Sequence, residues 1–421
     1  MTGSEKEKSF HWAWIILVTC FIDVFINYSV RLGYGVVLPE MIRTLGFSRT
    51  AGGTIYNAYL LCYVVLTPLT GYLTDRLGAR WVITACSLIL GIGVLLMGTV
   101  DTLWTACLFY AVVGLGGTGM WTPVITVVQR WFSPKRRGLA LGIMSTGYGL
   151  GFATMGAAFP WIVHRFDWRY AWYFLGAGAG VMVLINGLLL RSDPESEGYS
   201  AWGDGNDPGP SKEKPAPGRD RKGTMVQVLK NRRFWLIGLS YFAIAYSLYG
   251  ITTFMVDYAK YQLGFPLEKA SLLATVHGFF QVLGVLAILP LSDYLTRRKT
   301  IIISNAFIAC CLVGILFTSN SGPLLYVLVA VVALFYGATW PMYGACAGDY
   351  FPKEVMGTVI GAWTPFYGLG AVLVHWVGGF LRDLTGSYTS TFAINVAMAA
   401  VSIIFMCLVR KRRFRRAEMA P

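Results

Sequence analysis

Twelve runs of about twenty or more mostly apolar residues divide this chain, at roughly 12–37, 51–73, 81–100, 103–129, 138–163, 170–190, 234–258, 270–291, 300–318, 323–348, 357–380 and 388–409. A helix of about 20 apolar residues crosses the hydrocarbon core of a bilayer. Inside that core each backbone polar group has to find its partner within the segment, so such runs fold as helices. Several hold Gly and Pro, which membrane helices tolerate better than soluble ones. Only 13% of residues are charged, about half the share of a soluble domain. The expected fold is an all-α membrane protein with twelve transmembrane helices. The first run is too long for a signal peptide, and no small-residue cleavage site follows it, so no cleavable leader is expected.

The runs fall into two sets of six. "WFSPKRRGLALGIMSTGYGLG" (131–151) and "YFPKEVMGTVIGAWTPFYGLG" (350–370) align at an offset of 219, sharing Phe132/Phe351, Gly138/Gly357, Gly142/Gly361 and Tyr148–Gly151 with Tyr367–Gly370. "GYLTDRLGAR" (71–80) is echoed by "LPLSDYLTRR" (289–298), with Asp75 on Asp293 and Arg80 on Arg298. Between the copies, 191–232 is rich in Pro, Gly and charge and reads as a flexible linker. The expected plan is a six-helix half at 1–190, the linker at 191–232, a second half at 233–409 and a basic tail at 410–421. Duplicated membrane halves enclose a solute site near the midplane and rock about it to give alternating access.

The net charge of +14 does not point to nucleic acid. With the N-terminus cytoplasmic, 27 of the 35 Lys and Arg fall in cytoplasmic segments, seven in outer loops, and Arg31 inside a helix. That bias follows the positive-inside rule and predicts an inner (cell) membrane protein with both termini cytoplasmic. The tail reads as a stop-transfer cluster or a surface anchor. All eight Cys lie within predicted spans, without a CxxC pair, so neither disulfides nor a metal site is expected.

"GYLTDRLGAR" resembles the helix 2–3 signature of the major facilitator superfamily, matching it at Gly71, Leu73, Asp75, Arg76, Gly78 and Arg80. The resemblance implies a cytoplasmic latch formed by Asp75, Arg76 and Arg80 that holds the outward-open state. The second copy departs from it, with Leu289 for Gly71 and Tyr294 for Arg76. "RWFSPKRRGLALG" is similar to the helix 4–5 signature of the monocarboxylate and oxalate–formate transporters, and "GGFLRDLTGSYTSTF" (378–392) resembles their helix 11–12 turn. "FHWAWII" keeps part of that group's opening pattern without its acidic-Gly lead.

The superfamily lines its cavity with helices 1, 4, 7 and 10. On the first, Thr19, Asp23, Asn27 and Arg31 recur every fourth residue and share a face. Charge within a bilayer is costly, so such a stripe points to water or to partners. Arg31 reads as the anchor for an anionic group, and Asp23 as its partner or as a proton carrier. A structural Asp23–Arg31 bridge, or Arg31 snorkelling outward, is the other reading. The remaining candidates are Thr118, Trp121 and Thr122 on helix 4, Tyr246, Thr253 and Asp257 on helix 7, and Tyr336, Trp340 and Tyr343 on helix 10, which Pro341 is expected to break. Aromatic faces there serve either a solute or helix packing. His277 and Gln281 share a face of helix 8. Asp23, Asp257, His277 and His375 are the titratable groups placed to carry a proton. Asp257 also reads as a gate at the cavity mouth or as a plain interfacial charge.

The resembled group's helix 8 Arg is absent, Val285 standing there and Gln281 at the acidic position, and its helix 11 Lys is missing too. Arg31 alone would grip the anion, and one guanidinium holds one carboxylate. The expected solute is a monoanion or zwitterion with an apolar or aromatic body, carried with protons. A neutral, zwitterionic or amine solute is the alternative. No cofactor, no nucleic-acid partner and a monomeric state are expected. No nucleophile–base pair or phosphate loop appears, and "GLGGTG" (114–119) lies inside an apolar run, where it reads as helix packing, so the chain is not expected to be an enzyme.

Overall fold

The structure is a computed structural model that describes residues 11–133, 136–203, 228–318, 322–351 and 356–409; the side chains of Asp293 and of 356–358, the linker residues 204–227 and the basic tail lie outside the description. Thirteen long α-helices make the twelve spans: α1 (Ala13–Leu45), α2 (Arg49–Leu77), α3 (Ala79–Met97), α4 (Leu103–Gly117), α5 (Thr122–Trp131), α6 (Arg137–Arg165), α7 (Trp168–Leu189), α8 (Arg232–Tyr261), α9 (Leu267–Leu295), α10 (Arg297–Phe317), α11 (Gly322–Tyr350), α12 (Met356–Thr385) and α13 (Thr389–Leu408). The fourth span is broken. A 3-10 turn at Thr118–Met120 and the non-helical Trp121 (φ −130°, ψ −73°) separate α4 from α5, which starts at Thr122 with Pro123 in its first turn. Ten spans are apolar enough to cross a membrane on composition alone; α2 and α6 are not among them, and both line the contact between the halves.

Local chemistry sets the helix ends. Ser48 caps α2, Asp167 caps α7 and Asn231 caps α8 through their side-chain oxygens. Gly46, at φ 68°, closes α1 in the left-handed conformation. Residues 191–203 fold back beneath the first half. Trp202 packs against Trp14 and Phe132, its backbone pairs with Trp131 and Ser133, and Asp193 bonds Arg130 at 3.1 Å.

Within the second half, α9 and α11 cross at contact distance. A Cβ on Gly284 would stand 1.8 Å from the Leu334 carbonyl oxygen, and one on Gly337 2.1 Å from that of Gln281. Gly284→Ala therefore forces the helices apart and is expected to destabilise the protein by about 1–3 kcal/mol. Thermal unfolding in detergent checks this; an unchanged midpoint overturns the crossing.

The halves form a wedge. The α6–α9 contact runs from Gly149 against Gly278 to His164 against Glu268. The α2–α12 contact runs from Val64 against Gly368 to Arg49 against Gly379. Both contacts lie toward the end of the bundle that holds the α1–α2 and α8–α9 turns, here the far end. Toward the end that carries the termini, a Cβ at Gly71, Gly138, Gly142 or Gly361 meets nothing within 4 Å. The molecule is closed at the far end and splayed at the terminal end.

Candidate functional site

Arg31 sits midway along α1, 3% exposed, where α1 meets the second half. Its Nη2 donates to the hydroxyl of Tyr249 on α8 at 2.6 Å and to that of Tyr367 on α12 at 3.4 Å, and these two hydroxyls also bond each other. The guanidinium lies over the rings of Tyr63 (5.0 Å), Tyr28 (5.6 Å), Tyr59 (5.7 Å) and Tyr249 (5.8 Å). Cation–π contact offsets part of the cost of burying the charge. Among the described residues no carboxylate pairs with Arg31, and its Nε has no partner. A buried cation without an anion is costly to keep, and the arrangement leaves room in charge for one bound anion.

Around Arg31 stands a wall of rings. Tyr148 meets Tyr28 edge-on at 4.1 Å, and its hydroxyl accepts from Trp340 Nε1 at 3.4 Å. Trp340 meets Tyr367 edge-on at 3.7 Å. Tyr241 packs on Trp340, Tyr343 and Tyr367, and Trp121, at the break in the fourth span, faces Tyr28 at 6.0 Å. The repeated passage thus delivers its two equivalent tyrosines to Trp340, Tyr148 through its hydroxyl and Tyr367 through its ring. Tyr63, Trp121, Tyr241, Trp340 and Tyr367 stay half-buried although they face the centre.

The stripe on α1 divides. Asp23 does not pair with Arg31. It accepts from Asn186 Nδ2 at 2.7 Å, which also donates to Ser87 Oγ at 2.9 Å, and so faces α3 and α7. Eight residues rise about 12 Å and rotate about 80° around a helix, enough to carry the two charges to different neighbours. Asp23 Oδ2 has no partner among the described residues, nor have the amide atoms of Asn27. Thr19 bonds its own helix at Ile15. His277 lies between Phe152 and Tyr336, and neither it, Gln281 nor the Tyr336 hydroxyl has a hydrogen-bond partner among the described residues. Tyr343 turns its hydroxyl away from Arg31, to Ser240 at 2.6 Å and toward Ser402 and Asn305, and only its ring backs the wall. Tyr246 joins none of these ring or hydroxyl contacts; Tyr249, nearly one turn on, faces Arg31 instead.

Polar contacts between the halves seal the far end. Asp257 accepts from Arg49 at 3.2 Å and from the Tyr388 hydroxyl at 2.6 Å. Asp383 accepts from the backbone N–H of Arg49 and Thr50, at 2.9 and 2.8 Å, and so caps α2 from the opposite half. Lys260 pairs with Glu40, which also holds Arg43, and His164 pairs with Glu268. Deeper, His375 bridges Thr253 at 2.9 Å and Asn57 at 3.0 Å. Tyr249, Thr253 and Asp257 follow at four-residue steps on α8, so one helix stripe runs from Arg31 to the seal.

A bundle of two like halves, closed at one end over a buried charge, is transporter architecture. The Major Facilitator Superfamily family model matches the chain over residues 17–274 and 237–419. The chain belongs to that superfamily. It is 23% identical to the hexuronate transporter of Bacillus subtilis (strain 168), over 91% of each chain. It is 23% identical to the D-galactonate transporter of Escherichia coli O6:H1, over 94% of this chain and 95% of that one. A bacterial homologue of the human lysosomal transporter Spinster shares the fold at TM-score 0.72 and 18% identity, covering 96% of this chain and 98% of its own. A mutant of the nucleoside transporter NupG does so at TM-score 0.74 and 15% identity, covering 94% and 100%. The protein is a transporter and a multi-pass membrane protein, not an enzyme.

The superfamily signature lies at the splayed end. Asp75 and Arg76 are exposed there, and Arg76 lies over Tyr72 of its own helix at 4.8 Å. Arg80 ties α3 to the end of α7, bonding the Gly187 carbonyl and, through its backbone N–H, Ser192 Oγ. Among the described residues, none of the three reaches the second half. Sequence reasoning missed Tyr28, Tyr59, Tyr63 and Tyr249, and it named Tyr148 and Tyr367 only as parts of the repeat. The repeat was their signal, since a tyrosine kept in both copies beside glycines sits where each helix turns toward the centre.

Proposed function

We propose that this transporter carries a small organic monocarboxylate, coupled to protons, by alternating access between the two halves. The observation that carries the reading is Arg31, a buried guanidinium between the halves that only phenol hydroxyls and ring faces satisfy. One carboxylate would give it the charge-assisted pair it lacks. Hexuronate and D-galactonate, named for two relatives, each bear a single carboxylate, whereas galactarate and D-glucarate, named for others, bear two; the single Arg31 favours the former class. The "RWFSPKRRGLALG" passage supports placement near the monocarboxylate and oxalate–formate group. The Lys and Arg bias supports a cytoplasmic terminal end, so the closed far end would face outward, and the disengaged Asp75 and Arg76 accord with a latch that belongs to the opposite state. The amine alternative loses support, because Asp257 is committed to Arg49 and Tyr388, and Asp23 to Asn186, both away from Arg31. Asn27, His277 and Gln281 remain candidate solute contacts, reached as the halves move.

Uptake of labelled carboxylates into proteoliposomes, with and without an inward proton gradient, tests the reading. Gradient-driven accumulation of an acid is the expected result; accumulation of amines and not acids overturns it. Asp23 is the residue proposed to take the proton. Its Oδ2 is buried without a partner, so a proton added there meets an open acceptor and removes an uncompensated charge. Asp23→Asn keeps the bond to Asn186 in reach and fixes the neutral form. It is expected to reduce gradient-driven accumulation at least tenfold while leaving exchange of internal for external solute intact. Retained accumulation moves the proton site elsewhere.

A further inference from the structure

We infer that the carboxylate held at Arg31 belongs to a solute with a flat unsaturated ring, an aromatic monocarboxylate, and that Trp340 with Tyr148 and Tyr367 forms the clamp that selects it. The inference rests on the carboxylate-carrier reading above and narrows its substrate class.

Tyr367 links anchor to clamp. Its hydroxyl bonds Arg31 at 3.4 Å while its ring meets Trp340 at 3.7 Å. A carboxylate that replaces this hydroxyl at Arg31 therefore leads whatever it is attached to against Trp340. The Tyr148 hydroxyl accepts from the Trp340 indole N–H at 3.4 Å, which orients the indole. Tyr148 comes from the first half, Tyr367 and Trp340 from the second, so a ring lodged among them touches both halves at once.

Accessibility argues for a ring and against a polyol. The wall residues that keep partial exposure are all aromatic, Tyr63, Trp121, Tyr241, Trp340 and Tyr367, and these would be the surfaces offered to a solute. The unpartnered amide and imidazole groups that could serve sugar hydroxyls, on Asn27, His277 and Gln281, are at most 1% exposed. No carboxylate joins the wall among the described residues, and the hydroxyls of Tyr148, Tyr249 and Tyr367 are already bonded to Trp340, Arg31 and one another, so a polyol buried there would leave most of its hydroxyls short of partners, which is costly. Stacked and edge-on aromatic contacts add to burial, and two such contacts amount to about a tenfold gain in affinity over a saturated ring of equal size.

Binding to the purified full-length protein in detergent, followed by thermal shift and equilibrium titration, tests this with benzoate, cyclohexanecarboxylate, propionate and D-galactonate. Benzoate is expected to bind about tenfold or more tightly than cyclohexanecarboxylate or D-galactonate. Equal affinity for benzoate and cyclohexanecarboxylate overturns the clamp, because the flat face then contributes nothing. Tighter binding of D-galactonate overturns the substrate class, while the carboxylate-carrier reading stands provided Arg31→Ala removes that binding. Binding of amines alone sinks both. Trp340→Leu is expected to lower the benzoate-to-propionate affinity ratio at least tenfold, and an unchanged ratio removes Trp340 from selectivity. The four-ligand comparison needs no variant, so a poorly folded Trp340→Leu does not leave the inference open.

Discussion

Proteoliposomes containing Arg31→Ala are expected to take up the transported acid at least a hundredfold more slowly than the parent, at background level. A buried charge pair that loses one partner costs about 3–5 kcal/mol, which corresponds to a factor of about a hundred to a few thousand in affinity. The same substitution carries a second, opposite expectation for the empty protein. Here Arg31 is a buried cation held by hydroxyls and rings alone, so removing it removes a desolvated charge with no anion to lose. The unfolding temperature of solute-free Arg31→Ala should match or exceed that of the parent. Arg31→Lys separates charge from shape. An ammonium keeps the attraction but cannot make the two parallel bonds of a guanidinium, so partial uptake with weakened affinity is expected. Parent-level uptake by Arg31→Ala in an intact fold would falsify the anchor.

How far the sequence foretold this can be argued from single residues. The twelve spans were legible because apolar run length is a one-dimensional property, set by bilayer thickness and not by partners. The duplication was legible because a residue kept twice at a fixed offset needs no structure to be seen. Arg31 was legible because charge in an apolar run is rare enough to require a reason. Its partner was not. A four-residue step suggested Asp23, but that step drifts around the helix, and α7 supplies Asn186 from 163 positions away. The tyrosine wall was hidden for a related reason. Tyrosine is common in this chain, 23 in all, and which of them converge depends on where α1, α8 and α12 cross. The far-end seal was out of reach because Asp257–Arg49 and Asp383–Thr50 join residues 208 and 333 apart, and no local pattern marks such pairs.

Introducing leucine at both Gly142 and Gly361 is expected to stop transport while leaving the closed far end undisturbed. The two glycines are equivalents in the repeated passage, and both now face open space. The contacts already formed say what they are for. On α6 and α9, Gly149 lies against Gly278 and Gly156 against Ser271, an antiparallel register in which each step along one helix is a step back along the other. Continued toward the splayed end, that register sets Gly142 opposite Val285. On α2 and α12, Gly379 lies against Arg49 and Gly368 against Val64, and continuing that pairing by about two turns sets Gly361 opposite Gly71. Closure of the terminal end thus requires a backbone approach of the kind the far end already shows, where a Cβ on Gly149 would stand 2.3 Å from the Gly278 carbonyl oxygen. Leucine meets nothing in the present state and a helix in the other, so it leaves the present state's stability nearly unchanged and raises the energy of the alternative alone. A protein held in one state binds solute without moving it. Binding measured by titration should therefore persist within a few-fold of the parent while uptake falls to background. Distances between spin labels at the terminal ends of α6 and α9 should lose the shorter population that the parent shows with solute. Normal uptake with both leucines in place would mean that the terminal end closes along some other line.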